Sequence, residues 1–209
     1  AQALSEQDSS QKATLLVEAI NWNTQDDRYY RAASQTALNL LASELNKPGT
    51  DPARNSRIQN YVTTSISFAR QATEIDPLGV LNWLNLGFVY QNLITIVDGV
   101  DGLSEGAYLK AASLRPGDPT FSYRIGLLYL GKADLLAQLV AGRKISSSQA
   151  GPISQAALVK AEENLKKAVG LSPNFGLAIY NLGVVYERQG ELAEAIRELE
   201  KVAPANSDQ

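Results

Sequence analysis

The sequence of 209 residues contains no histidine, no cysteine and no methionine. Without histidine, it lacks the side chain that most often serves as a general base and as a metal ligand. Without cysteine, it forms neither disulfides nor thiolate zinc sites, and its redox compartment cannot be read from the sequence. The absence of histidine also excludes a serine–histidine–aspartate triad. We expect no catalytic residue, no metal site and no cofactor, so the protein is predicted not to be an enzyme.

The sequence also lacks the features that attract nucleic acids or lipids. It has 19 basic and 22 acidic residues, a net charge of −3, and no run of basic residues. The electrostatic signature of nucleic-acid binding is therefore missing, and we expect no nucleic-acid partner. Neither a signal peptide nor an apolar run of about 18 residues is present, so this segment is predicted not to insert into a membrane.

The most informative stretch that is present reads Trp83-Leu-Asn-Leu-Gly-Phe-Val-Tyr90. On a helix, Trp83, Leu86, Gly87 and Tyr90 share one face. A glycine inside a helix costs about 1 kcal/mol relative to alanine, so its place on this face predicts that a second helix packs closely there. The same phrase returns as Ile125-Gly126 with Tyr129 and as Leu182-Gly183 with Tyr186, which makes it an internal repeat.

A second group of small residues followed by proline recurs with constant offsets. The three sets are Ser65, Ala69, Ala72 and Pro77; Ser104, Tyr108, Ala111 and Pro116; and Ala161, Leu165, Ala168 and Pro173. Together, the two half-motifs resemble the tetratricopeptide repeat, whose signature is W-x2-L-G-x2-Y, then A-x3-F, then P. The resemblance implies an all-α fold, a right-handed α-solenoid of antiparallel helix pairs. We expect a single solenoid domain, 1–209, with repeat units at about 24–77, 78–118, 119–173 and 174–204 and a partial leading repeat at 1–23.

The spacing departs from the regular repeat of about 34 residues. Gly87 and Gly126 are 39 residues apart, and Gly126 and Gly183 are 57 apart. The surplus residues fall between the two helices of a pair, so some hairpins are predicted to be extended, with a Ser/Gly loop at 142–152. The predicted helices span about 9–21, 24–46, 53–75, from the Trp83 motif to 97, 103–114, 119–141, 153–170, 175–188 and 191–202.

Two other patterns suggest chemistry but fit poorly. The run from Gly126 to Lys132 is spaced like a phosphate-binding loop, but Ala133 stands where that loop needs serine or threonine. Asp98 and Asp101 lie in a glycine-rich turn without the spacing of a calcium-binding EF-hand loop. An apolar helix explains the first stretch more simply, and a solvated turn explains the second.

The resemblance implies a concave groove lined by the first helix of each pair. The candidate groove residues lie beside the packing face of each motif: Leu84, Asn85, Phe88, Tyr123, Arg124, Leu127, Tyr180, Asn181 and Val184. Some tetratricopeptide-repeat proteins hold a peptide carboxylate here, and Asn85 and Arg124 occupy two positions that such clamps share. Thr120 replaces the flanking lysine, which favours a mixed aromatic and polar peptide groove. Packing of Tyr123 and Tyr180 without any ligand is an equal alternative.

The predicted function is a protein–protein interaction scaffold that binds a peptide or partner protein in this groove. The alternative is a structural spacer, or a segment that self-associates end to end through the apolar face of residues 192–202. The long hairpins also resemble the repeat-containing tails of large bacterial membrane proteins, including O-antigen ligase-like polymerases. That resemblance implies a soluble segment on the cytoplasmic or extracytoplasmic face of a bacterial cell.

Overall fold

A computed structural model describes residues 2–49 and 51–202, with the side chains described from Asp8 onward. These residues form nine α-helices and no strand, which confirms the predicted all-α class. The helices are α1 Gln2–Trp22, α2 Asp27–Leu45, α3 Arg54–Ile75, α4 Val80–Asn92, α5 Val100–Leu114, α6 Pro119–Ala141, α7 Ser147–Leu171, α8 Gly176–Gln189 and α9 Leu192–Glu200. In this described part, no helix is both long and apolar enough to cross a lipid bilayer.

The chain divides into two compact units, residues 1–107 and 108–209. The first unit holds α1 to α4 and the beginning of α5. The second unit holds the end of α5 and α6 to α9. The single solenoid domain and its repeat boundaries stay a prediction, and the last predicted boundary, residue 204, lies outside the described residues.

In the first unit, α2 and α3 form an antiparallel pair. Near one end of the pair the rings of Tyr30 and Phe68 meet edge to face, with centroids 6.0 Å apart. At the other end Arg57 donates to Glu44, whose side chain is buried, over 2.6 Å. One core cluster of this unit consists of buried side chains between the start of α2 and the middle of α5: Leu38, Leu41, Ala69, Leu86, Val89, Tyr90, Leu93, Val100 and Ala107.

In the second unit, the glycines of the repeated motif lie against the second helix of their pair. A Cβ on Gly126 of α6 would lie 2.6 Å from the Leu165 Cγ of α7, and one on Gly183 of α8 would lie 2.8 Å from the Leu199 Cγ of α9. Real Cβ atoms do not approach other atoms so closely, so these backbones meet only because glycine has no side chain. The predicted close packing of paired helices is present at both motifs.

The surplus residues of the longest repeat are helical. Helix α6 has 23 residues and α7 has 25, compared with 14 in α8. The predicted loop at 142–152 is therefore wrong, because α7 already begins at Ser147. The Ser146 side chain accepts from the Gln149 N–H while the Gln149 side chain accepts from the Ser146 N–H, and this capping box starts the helix ahead of Pro152.

Several other helix boundaries differ from the prediction for reasons of local hydrogen bonding. Helix α2 begins at Asp27 and not at residue 24, because Asp26 caps it by accepting a hydrogen bond from the Arg28 N–H. Helix α4 ends at Asn92 and not at residue 97, while α1 begins at Gln2 and not at residue 9. Asp118 caps α6 by accepting from the Thr120 N–H, with Pro119 in the first turn, as expected from the sequence.

Candidate functional site: the exposed faces of the first helices

In the first unit, the two first helices α2 and α4 lie side by side and run in the same direction. Arg31 of α2 donates to the side chain of Asn82 on α4. One turn further along both helices, Gln35 Nε2 donates to Asn85 Oδ1 over 2.9 Å. Asn82 also bonds to the end of α3, since its Nδ2 donates to the carbonyl oxygens of Ala72 and Asp76, each over 3.0 Å.

The candidate groove residues of the first unit differ in their access to solvent. Phe88 is 37% exposed and Leu84 is half-buried, whereas Asn85 is buried. The Asn85 amide nitrogen donates to Ser34 Oγ over 2.8 Å, so both ends of this side chain bond within the unit. Asn85 therefore joins α4 to α2, while Leu84 and Phe88 lie toward solvent.

In the second unit, the first helices α6 and α8 are arranged in the same way. The rings of Tyr123 on α6 and Phe175, just before α8, have centroids 4.9 Å apart. Near the other end, Arg188 Nε donates to Asp134 Oδ1 over 3.2 Å. These two contacts place α6 and α8 parallel, with their starts together and their ends together.

The second unit holds the other six candidate residues on α6 and α8. Tyr180 is 52% exposed, and Tyr123, Arg124, Leu127, Asn181 and Val184 are half-buried. The Asn181 side chain donates to the carbonyl oxygen of Leu177 one turn earlier, over 2.7 Å. On α8, Tyr180 and Val184 are one helical turn apart and share one side of the helix.

Two exposed leucines were missed by the sequence prediction. Leu177 is 60% exposed, and Leu81 is also exposed. Each lies six residues before the glycine of its motif and one turn before a predicted groove residue, so the two leucines occupy equivalent positions. The sequence contains this signal, because a leucine stands six residues before the motif glycine in both repeats.

In the second unit, charged side chains of α7 contact α6 and α8. Lys160 Nζ donates to the Tyr129 hydroxyl over 2.8 Å and lies 4.5 Å from the ring centroid. Burial acts to raise the pKa of Glu162, but the bonds that it accepts from Lys166 and Gln189 leave this pKa below its ordinary value. These bonds tie α7 to Tyr129 of α6 and to Gln189 of α8.

Comparisons with known proteins identify the type of fold. Residues 153–209 match the family model described as tetratricopeptide repeat. Among curated proteins, no significant sequence match is found. The chain is similar to the crystal structure of TTC0263, a thermophilic tetratricopeptide-repeat protein of Thermus thermophilus, with 18% identity, a TM-score of 0.57, and coverage of 99% of this chain and 93% of that one.

A structure of MamA from AMB-1 is also similar, with 19% identity and a TM-score of 0.50. The alignment covers 93% of this chain and 87% of that one. At these identities, the likeness concerns the fold alone. The predicted resemblance to tetratricopeptide repeats and the predicted solenoid fold class are confirmed, and folds of this kind generally serve protein–protein interaction. The resemblance to the tails of bacterial membrane proteins stays a prediction.

Proposed function

We propose that the chain, whose fold is that of tetratricopeptide-repeat proteins, is a non-catalytic scaffold that binds a peptide or a partner protein on the exposed faces of its first helices. One observation carries this proposal: large apolar side chains occupy equivalent exposed positions in α4 and α8. These are Leu81 and Leu177, six residues before the motif glycine. Single exposed apolar residues are normal on a protein surface, but their return at a fixed offset favours a shared role.

The proposed contact residues of the second unit are Tyr123, Leu127, Leu177, Tyr180 and Val184. Aromatic residues at an interface bury a large rigid area and often carry most of the binding energy. Tyr180 supplies the most exposed aromatic ring among them. The matching ligand is a segment with apolar side chains that pack along α8. Arg124 and Asn181 lie beside this face and are proposed to contact the polar backbone of the ligand.

In the first unit, Leu81, Leu84 and Phe88 form the proposed contact surface. Asn85 supports it, because its side chain bonds to Ser34 and Gln35 of α2 and so fixes the position of α4. A carboxylate clamp of the kind that Asn85 and Arg124 suggested would need the Asn85 amide to reach the ligand. The buried position of Asn85 favours apolar recognition over such a clamp.

The experiment that tests this proposal compares proteins captured from a cell lysate by three forms of the chain. These forms are the native chain, a Leu177→Ser/Tyr180→Ala variant, and a control variant, Leu109→Ser, which alters another exposed leucine, on α5. Circular dichroism first establishes equal helix content. We expect a partner that the native and control forms retain and the double variant loses. Equal capture by all three forms would contradict the proposed face.

A further inference from the structure

The extended α6–α7 hairpin carries an open apolar groove near its tip, and none of the proposed ligand-contacting residues lines it. The groove has a volume of about 340 Å³ and is lined by Leu136, Ala137 and Val140 of α6 and by Ala150, Gly151 and Ser154 of α7. The side chains on the α7 side are small, so a helix can approach closely there. A Cβ on Gly151 would meet no atom of the described residues within 4 Å, so the space above this residue is open.

The hairpin around this groove has a distinct charge. From Leu135 to Ala161 the sequence contains no aspartate or glutamate, although the whole chain has more acidic than basic residues. Arg143 and Lys144 lie exposed at the tip, and Arg143 has a φ of 55°, a left-handed conformation that turns the chain between the two helices. An occupant of the groove should therefore combine apolar side chains with negative charge.

Helix α9 of the same chain has these two properties. Its packing side holds the buried Ala195 and also Leu199, which lies against Gly183. On its other side Leu192 is 61% exposed and Ile196 is 57% exposed, one turn apart. Glu191 and Glu200, both exposed, lie just before and just after this apolar pair.

We propose that α9 of one copy docks in the α6–α7 groove of a second copy, so that the chain self-associates through two different surfaces. Leu192 and Ile196 fill the groove, and Glu191 and Glu200 lie near Arg143 and Lys144. This inference goes beyond the scaffold function and uses none of the proposed ligand-contacting residues. The sequence predicts end-to-end association through residues 192–202, and this proposal assigns the α6–α7 groove as the surface that receives them.

The dimensions of the two surfaces agree. A helix of nine residues such as α9 is about 13 Å long. Residues four apart on a helix have Cβ atoms about 6 Å apart, so Leu192 and Ile196 span little more than one turn. The groove extends over little more than one turn of α6, from Leu136 to Ala141. A contact between two unlike surfaces leaves one groove and one helix face open in each dimer, so longer assemblies can form.

Two substitutions block the two surfaces separately. Gly151→Glu fills the groove with a negatively charged side chain at an open position, and Ile196→Glu places a charge on the exposed face of α9. Gly106→Glu on α5 and Leu109→Glu are the matched controls, because residue 106 also has open space above it among the described atoms and Leu109 is also exposed. Sedimentation velocity of the full chain over two decades of concentration measures the association.

We expect the native chain and both controls to associate with rising concentration, and each blocking variant to associate at least about tenfold more weakly. A mixture of the two blocking variants provides the decisive result. Ile196→Glu retains an intact groove and Gly151→Glu retains an intact α9, so the mixture should form a one-to-one dimer at concentrations where each variant alone stays largely monomeric.

Three results would overturn the proposal. The native chain could remain monomeric over the whole range, or the mixture of variants could fail to form a dimer. The groove variant alone could also lose association while Ile196→Glu keeps it, which would mean that another element occupies the groove. Loss of ligand capture by the first-helix face would leave these results unchanged, so the two proposals can fail independently.

Discussion

The amide nitrogen of Asn85 on α4 donates to the hydroxyl of Ser34 on α2 over 2.8 Å, between residues that are 51 positions apart in the sequence. Both side chains are buried. The Ser34 hydroxyl in turn donates to the carbonyl oxygen of Arg31 over 2.8 Å, so the bond belongs to a polar network between the two first helices of the unit. A buried network of this kind fixes how neighbouring helices meet, because each group that loses its partner is destabilised.

We expect Asn85→Ala to lower the free energy of unfolding by about 1–3 kcal/mol, since the buried Ser34 hydroxyl oxygen loses the hydrogen bond that it accepts from α4. Asn181→Ala provides the matched control, because Asn181 occupies the same motif position in α8 but is half-buried and bonds only to its own helix. Its removal should cost less than about 1 kcal/mol. Urea unfolding measures both values, and equal losses would show that the network contributes nothing specific.

Gly126→Ala should destabilise the chain, although alanine is the better helix former. The new methyl group would meet Leu165 at 2.6 Å, and overpacking of this kind typically costs about 1–3 kcal/mol. Gly131→Ala on the same helix should have the opposite sign and stabilise by up to about 1 kcal/mol, since no described atom beyond the adjoining backbone of α6 lies within 4 Å of its new Cβ. Thermal unfolding monitored by circular dichroism compares the two variants. A stabilising Gly126→Ala would mean that α6 and α7 are further apart.

The buried Glu44 should make stability depend on acidity. Hydrogen bonds from Arg57 and then from Lys47 lower the pKa of Glu44 from its ordinary value of 4.5. Because the folded-state pKa is lowered, the stabilisation is fully present above about pH 4.5. It is lost as the pH falls through the folded pKa.

Glu44→Gln should therefore be less stable than the native chain at pH 7, and the difference should shrink under acid conditions. Denaturant unfolding at a series of pH values measures this difference. Glu74→Gln, at an exposed position on α3, controls for the general effect of removing one carboxylate. A constant difference between the native chain and Glu44→Gln at all pH values would contradict the assigned ion pairs.

Pro152→Ala should stabilise α7. Pro152 lies inside the helix, where it has no N–H to donate to the carbonyl group of Ser148 one turn earlier. Because Pro152 is exposed and near the helix start, we expect a gain of about 1–3 kcal/mol. Pro119→Ala on α6 should instead cost a few tenths of a kcal/mol, because proline in the first helical turn is pre-organised. Chemical denaturation of both variants measures the contrast, and a loss of stability in Pro152→Ala would contradict it.

The sequence predicted helix type better than helix boundaries. Asp118-Pro119 is a complete local start signal, and the structure begins α6 there. Pro152 predicts a start of α7 at residue 153, but the Ser146 and Gln149 capping box begins the helix earlier, and the capping energy offsets part of the cost of the proline. The Ser146-x-x-Gln149 spacing of this capping box is itself a local sequence signal.

The sequence by itself determined the all-α class and the repeat type, because both follow from local periodicity: apolar residues three and four positions apart, and a glycine where two helices must meet. Only the tertiary structure decided which polar groups are enclosed. Asn85 and Asn181 occupy the same motif position, yet Asn85 is buried between α4 and α2 whereas Asn181 bonds back to its own helix. The partners of Asn85 lie some 50 residues away, so no local pattern could distinguish the two asparagines.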